Sequence, residues 1–193
     1  MILAGGQSSR MGADKATISI DGVPLIRRIY DVIAACPQNS IRIYVVTPWV
    51  DKYQPILPVN CQFLLEQQPH QGPLIGFAQS LHQITSAWVL LLACDLPNLS
   101  TPVVQAWIDG LGDLPRQSIA YLPKNPDGKG WEPLCGFYRR SCLDSLLEYI
   151  EAGGRSFQGW LANSSVTELA VRDRQWLLNC NTPADLAGVI IDR

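Results

Sequence analysis

Long apolar runs are missing from this chain. The longest, Trp88 to Cys94, falls far short of the roughly 20 residues that a helix needs to cross a bilayer. No membrane span and no membrane partner are expected. An excess of charge of one sign is missing too: 15 Lys and Arg stand against 17 Asp and Glu, for a net charge of −2. Without a bulk basic field the chain is not expected to hold nucleic acid, and any phosphate it binds must be gripped locally. Histidine is scarce, with only His70 and His82, and the six cysteines (Cys36, Cys61, Cys94, Cys135, Cys142 and Cys180) form no CxxC pair. That composition argues against a structural zinc site. Ser-His-Asp hydrolysis would have to draw on those two histidines alone, and no GxSxG elbow is present. No apolar stretch of signal-peptide length occurs before Arg10, so reduced thiols and a cytoplasmic location are the expectation.

What is present is enough apolar surface to fold, with 47% hydrophobic and 17% charged residues in 193. The expectation is one domain over residues 1–193, with no linker or internal repeat. Apolar segments alternate with helical patterns, which predicts an α/β fold with a mostly parallel sheet. Strands are expected at Ile2 and Leu3, Ile41 to Thr47, Gln62 to Leu65, Trp88 to Ala93, Ser118 to Leu122, Leu134 to Tyr138, Val166 to Val171 and Trp176 to Leu178. Helical patterns run from Leu25 to Ala35, with Pro24 at a first helical position, and from Leu74 to Ile84. Others run from Thr101 to about Leu111, from Cys142 to Ala152, and from Pro183 onward. Pro123 to Gly130 reads as a mobile, exposed loop, and Glu132 beyond it as a solvated carboxylate.

The chemistry concentrates where strands end. Leu3-Ala4-Gly5-Gly6 runs through two serines to Arg10, Gly12 and Lys15. Glycines directly after a strand let backbone N–H groups approach an anion, and Arg10 and Lys15 add charge for non-bridging phosphate oxygens. This is a phosphate cradle but not a Walker A loop, because five residues separate Gly6 from Gly12 and Lys15 does not follow the glycine directly. Asp95 follows the most apolar strand, where ligands bind in open α/β sheets. A hard carboxylate there suits Mg²⁺ bridging substrate phosphates. Asn179 and Asn181 flank a late turn in which Thr182 and Pro183 are explained as helix cap and first turn. The two amides are left for a second substrate or a metal-bound water.

The stretch Leu3 to Lys15 resembles the LAGGxSxRMGxDK signature of the molybdenum cofactor guanylyltransferases. Gly72-Pro73-Leu74-Ile75-Gly76 is similar to the GPLxG of that family, Cys94 to Pro97 to its CDxP, and Asn179 to Asp185 to its NxNTPxD. The resemblance implies a three-layer, Rossmann-like nucleotidyltransferase fold. It further implies transfer of GMP from GTP to molybdopterin with Mg²⁺ as cofactor. On it, Leu3, Ala4 and Gly5 contact the guanine nucleotide, Lys15 its phosphates, and Asp95 both nucleotide and Mg²⁺. Asn179 and Asn181 lie on the molybdopterin side, and an acidic nucleotide contact falls on Glu66, with Gln67 as the alternative. Thr47 stands where relatives often place Asn. Other readings are a cytidylyl or sugar-phosphate transferase of the same fold, or a carrier without activity. Transient contact with cofactor insertion proteins or molybdoenzymes is the protein partnership that the resemblance implies.

Overall fold

The computed structural model describes residues 1–6, 14–37, 41–67 and 71–180. In chain order the elements are β1 (Ile2–Leu3), β2 (Ser19–Ile20), β3 (Val23–Pro24), α1 (Leu25–Ala34), β4 (Tyr44–Thr47), α2 (Val50–Tyr53), β5 (Gln62–Leu65), α3 (Pro73–His82) and β6 (Trp88–Ala93). There follow α4 (Thr101–Asp109), β7 (Ala120–Leu122), β8 (Cys135–Arg139), α5 (Leu143–Glu151), α6 (Phe157–Leu161) and β9 (Val166–Glu168). A seven-stranded sheet has the order β5-β4-β1-β6-β8-β7-β9. The strands β5, β4, β1 and β6 are mutually parallel, whereas β8 runs antiparallel to both β6 and β7.

Side-chain alternation along the strands assigns the two faces. Val45, Leu92 and Phe137 point into a core with α1 and α4, while Val46, Leu91 and Tyr138 point into another with α3, α5 and α6. Helix α1 presents Ile26, Ile29, Tyr30 and Ile33 at helical spacing to the first core. Three layers result: helices, sheet, helices. Among the described residues no helix is long and apolar enough to cross a membrane.

Several expectations are corrected. Trp176 to Leu178 is not a strand: Arg174–Leu177 forms a 3-10 turn, capped by Asp173, whose carboxylate accepts from the Gln175 N–H at 2.9 Å. Pro24 is not inside a helix but closes the β2–β3 hairpin, with α1 starting one residue later. That hairpin turns on Asp21 and Gly22, at φ 52° and 77°, the pair of positive φ values that a two-residue type I′ turn requires. The loop Pro123 to Gly130 is a pinned hairpin rather than a loose one. Lys124 bridges to Trp131 and lies over its ring, 3.7 Å from the centroid, and the Gln158 amide holds both the N–H and the C=O of Trp131. Glu132 is half-buried rather than solvated. Burial pushes its carboxyl pKa up, Arg174 opposes the shift, and Asp127 adds to it. The expected helix from Pro183 lies outside the described residues.

Candidate active site

Parallel strands carry their C-terminal ends to one edge, and the last residues of β1, β4, β5 and β6 deliver four different groups there. Ala4 extends β1 by donating its N–H to the Val46 carbonyl at 2.9 Å, and Glu66 extends β5 with a 3.1 Å bond to the Thr47 carbonyl. Ala4 and Glu66 are therefore held on this edge by backbone ladders. Between them Gly5 has no room for a side chain: a Cβ would stand 2.0 Å from Glu66 Oε2 and 3.4 Å from Pro48 Cδ. On the other side Glu66 Oε1 would stand 3.1 Å from a Cβ on Gly76 of α3. The Glu66 carboxylate thus packs between the two glycines. Gln67 is exposed and lines a separate groove with His82 and Leu147, so of the two acidic-position candidates Glu66 faces the glycine loop.

Lys15 opens a 3-10 turn, Lys15–Thr17, whose N-cap is Asp14. Its ammonium lies 3.5 Å from Asp95 Oδ2, with the two side chains 24% and 15% exposed. The second oxygen, Asp95 Oδ1, is buried and has no hydrogen-bond partner among the described residues. Burial raises the pKa of this carboxyl, and Lys15 is the main group that opposes the shift. A buried oxygen without a partner is costly unless something binds it. Among the described residues no cluster of three or more His, Cys, Asp or Glu side chains gathers to hold a metal. One hard carboxylate with an open lone pair nonetheless fits Mg²⁺, which keeps several waters and is held by one or two carboxylates plus substrate phosphates. Asp95 is the residue that would hold it.

The structure also brings the late segment to this edge. The Cys180 N–H donates to the Asp95 carbonyl at 2.9 Å, which sets the exposed Asn179 beside it. Asn98, past the end of β6, donates its amide to the Gln175 carbonyl at 3.1 Å and ties the preceding 3-10 turn to the same region. Leu3 is half-buried, Ala4 buried and Gly6 exposed, with open space around it. Arg10 and Asn181 lie outside the described residues, as does His70.

Asp14, Lys52 and Tyr53, to which the sequence analysis assigned no role, converge here beside Thr47. The Tyr53 hydroxyl donates to Asp14 Oδ2 at 2.6 Å, and the Lys52 ammonium lies 2.7 Å from the same oxygen. Thr47 donates its hydroxyl to the Ala4 carbonyl and accepts from the Trp49 N–H, both at 3.0 Å. An Asp directly before Lys15 was the available signal, as an N-cap. Nothing local marks Tyr53, which lies 39 residues from Asp14.

With Gly5, Lys15, Glu66 and Asp95 gathered at the carboxyl edge of a mostly parallel sheet, the chain is a nucleotidyltransferase of the MobA-like NTP transferase class, whose domain model matches residues 1–166. The chain belongs to the molybdenum cofactor guanylyltransferase family. It is 54% identical over 189 residues to a protein of Trichormus variabilis named probable molybdenum cofactor guanylyltransferase, covering 98% of this chain and 88% of that one. A protein of the same name from Synechococcus elongatus is 44% identical over 187 residues, covering 96% and 94%. The fold matches the crystal structure of molybdopterin-guanine dinucleotide biosynthesis protein A from Archaeoglobus fulgidus with a TM-score of 0.76, at 21% identity over 97% of this chain and 94% of that one.

Proposed function

We propose that the chain transfers GMP from GTP to the terminal phosphate of molybdopterin, giving the guanine dinucleotide form of the cofactor and pyrophosphate. The observation that carries this reading is the Lys15–Asp95 pair with its unpartnered Oδ1, set at the end of β6 beside the glycine turn. A phosphate oxygen of molybdopterin attacks the α-phosphorus of GTP, the bond from that phosphorus to the α,β-bridging oxygen breaks, and pyrophosphate departs with the electron pair. The nucleophile is already largely ionised at pH 7, since the second pKa of a phosphate monoester is about 6. No histidine base is needed, in keeping with the scarcity of histidine.

Catalysis then reduces to alignment and charge neutralisation. Lys15 neutralises phosphate oxygens, Leu3, Ala4, Gly5 and Gly6 offer backbone to the nucleotide, and Arg10 is assigned to non-bridging oxygens. Glu66, packed against Gly5, is assigned to the nucleotide. Asn179 and Asn181 are assigned to the molybdopterin side. Mg²⁺ bound at Asp95 would supply Lewis-acid charge on the phosphates. The free cysteines fit a reducing cytoplasm, and insertion proteins or molybdoenzymes are the proposed recipients of the product.

Calorimetry with GTP, CTP and ATP in Mg²⁺, followed by pyrophosphate release with molybdopterin present, tests the reading. Selective GTP binding and GTP-dependent release are expected. Preference for CTP moves the chain to the cytidylyl reading, and nucleotide binding without release leaves a carrier.

A further inference from the structure

We infer that the segment from Thr47 to Tyr53 is a positioning brace for Lys15, acting through Asp14; this rests on the guanylyltransferase reading above. Lysine carries its charge on a flexible four-carbon stem, so the position of its ammonium is only as good as its backbone anchor and its partners. The anchor here is unusually well specified. Both oxygens of the preceding Asp14 carboxylate are engaged: Oδ1 accepts from the Ala16 N–H at 3.0 Å, and Oδ2 takes the Tyr53 hydroxyl at 2.6 Å and the Lys52 ammonium at 2.7 Å. The Asp14 carbonyl accepts from the Thr17 hydroxyl at 2.8 Å and the Thr17 N–H at 3.1 Å. The peptide that presents Lys15 is thereby fixed from the side chain and from the main chain.

The same segment also holds the residue that follows β1. Thr47, fully buried, holds the Ala4 carbonyl with its hydroxyl and is itself held by the Trp49 N–H. One stretch of chain following β4 therefore fixes both Ala4, where the backbone leaves β1, and Asp14, where it enters the turn that carries Lys15. Tyr53 is the telling residue. Its ring is completely buried in the core shared by α1 and α4, a space that phenylalanine would fill equally well, yet its hydroxyl is directed at the carboxylate next to Lys15. Burial and the bond to Asp14 push the phenol pKa up, so it remains a protonated donor at neutral pH. Lys52 adds charge to the same oxygen while lying over the Trp49 and Tyr53 rings, 5.7 and 6.0 Å from their centroids. Tyr53, Lys52 and Thr47 are on this account positioning residues. They act through the Asp14 carboxylate and the Ala4 carbonyl.

The test is a double-mutant cycle on guanylyl transfer, read in single turnovers with enzyme in excess over molybdopterin, for wild type, Tyr53→Phe, Lys15→Ala and the double variant. Tyr53→Phe keeps the ring, and a loss in kcat of about ten- to a hundred-fold is expected, with KM for GTP moving by less than about threefold. In the Lys15→Ala background the same substitution is expected to cost nothing further, because the group it positions is gone. Asp14→Asn, which retains the bond to Ala16 but not the charge, should reproduce the kcat loss and serves if Tyr53→Phe fails to fold. Wild-type kcat in either single variant overturns the inference, and so does an undiminished loss in the Lys15→Ala background, the mark of a merely structural tyrosine. A wild-type protein without guanylyl transfer overturns the functional reading instead, and the inference with it.

Discussion

The two halves of the sheet use glycine for opposite purposes. In the parallel half, Gly5 makes room for a carboxylate: the nearest atom to a new Cβ is Glu66 Oε2, the far end of a side chain that can move. In the antiparallel half, Gly136 of β8 makes room for a neighbouring strand. A Cβ there would stand 2.6 Å from the Tyr121 carbonyl oxygen and 2.6 Å from Leu122 Cδ2, both on β7. Behind β8 an aromatic cluster fills the core. Phe77 lies 4.8 Å from Tyr138 and 5.6 Å from Phe157, and Tyr138 stacks 5.9 Å from Trp160. The Tyr138 hydroxyl is satisfied by the Pro133 carbonyl at 2.8 Å. One half is packed to hold shape, while the other ends in polar groups, among them the buried Asp95 Oδ1, which has no hydrogen-bond partner among the described residues. Rigidity and chemistry are separated along a single sheet.

That separation can be broken most forcefully at Asp95. Asp95→Asn is expected to lower guanylyl transfer by roughly 10²–10³-fold or more, since charge neutralisation at the phosphates is lost. The thermal midpoint should hold or rise, because the substitution removes a desolvated charge from a half-buried position. A variant that keeps its turnover, or one that unfolds, contradicts the division between shape and chemistry. Kinetics and a thermal melt on the same preparation decide it.

Gly136→Ala and Gly5→Ala sharpen the comparison. At Gly136 backbone is in the way, so overpacking should cost about 1–3 kcal/mol of stability, with kcat per folded molecule unchanged. At Gly5 the Glu66 side chain can swing aside, so the stability loss should be smaller while GTP affinity falls about tenfold, or about 1.4 kcal/mol. Urea unfolding and nucleotide calorimetry on both variants give the four numbers needed. If the two glycines lose stability and affinity in the same ratio, the halves are not functionally distinct.

The parallel half was also the more legible in the sequence. Gln62–Leu65 and Trp88–Ala93 emerge with the bounds that the apolar runs predict, and Lys15 and Asp95, both singled out from the sequence, come within 3.5 Å of each other. What escaped was either long-range or masked by a competing signal. Tyr53 and Asp14 are 39 residues apart, and no periodicity relates them. Val50–Tyr53 is a single short turn, too brief to show a pattern. In the β2–β3 hairpin the Asp21-Gly22 pair was a sufficient turn signal, but Pro24 reads equally well as a helix start. Trp176 and its neighbours looked strand-like by composition, yet the Asp173 cap folds them into a 3-10 turn. The loop after β7 looked loose because its composition is rich in turn residues. The group that pins it, Gln158, comes from α6, 27 residues beyond Trp131.

The smallest expected effect concerns the cysteines, and it probes the packed core against its rim. Burial pushes the Cys142 thiol up to about 12 and the half-buried Cys61 to about 11 from an ordinary 9.0, and raises Cys36 and Cys135 as well. The folded state therefore keeps thiol protons that the unfolded chain releases. A pKa raised on folding stabilises fully below the unfolded value of 9.0, and that stability is lost as pH rises towards 11 and 12. The buried phenols of Tyr53 and Tyr138 are shifted in the same direction, so they add to the trend rather than cancel it. Urea midpoints should fall progressively as pH rises above about 9. At pH 8 an alkylating reagent should modify Cys142 and Cys135 in the native protein only as fast as the core opens, and Cys61 first among these thiols, since the thiolate is the reactive form. Rapid native labelling of Cys142, or a midpoint that climbs with alkali, would mean that the region behind β8 is open to water, and the contrast with the site edge would collapse.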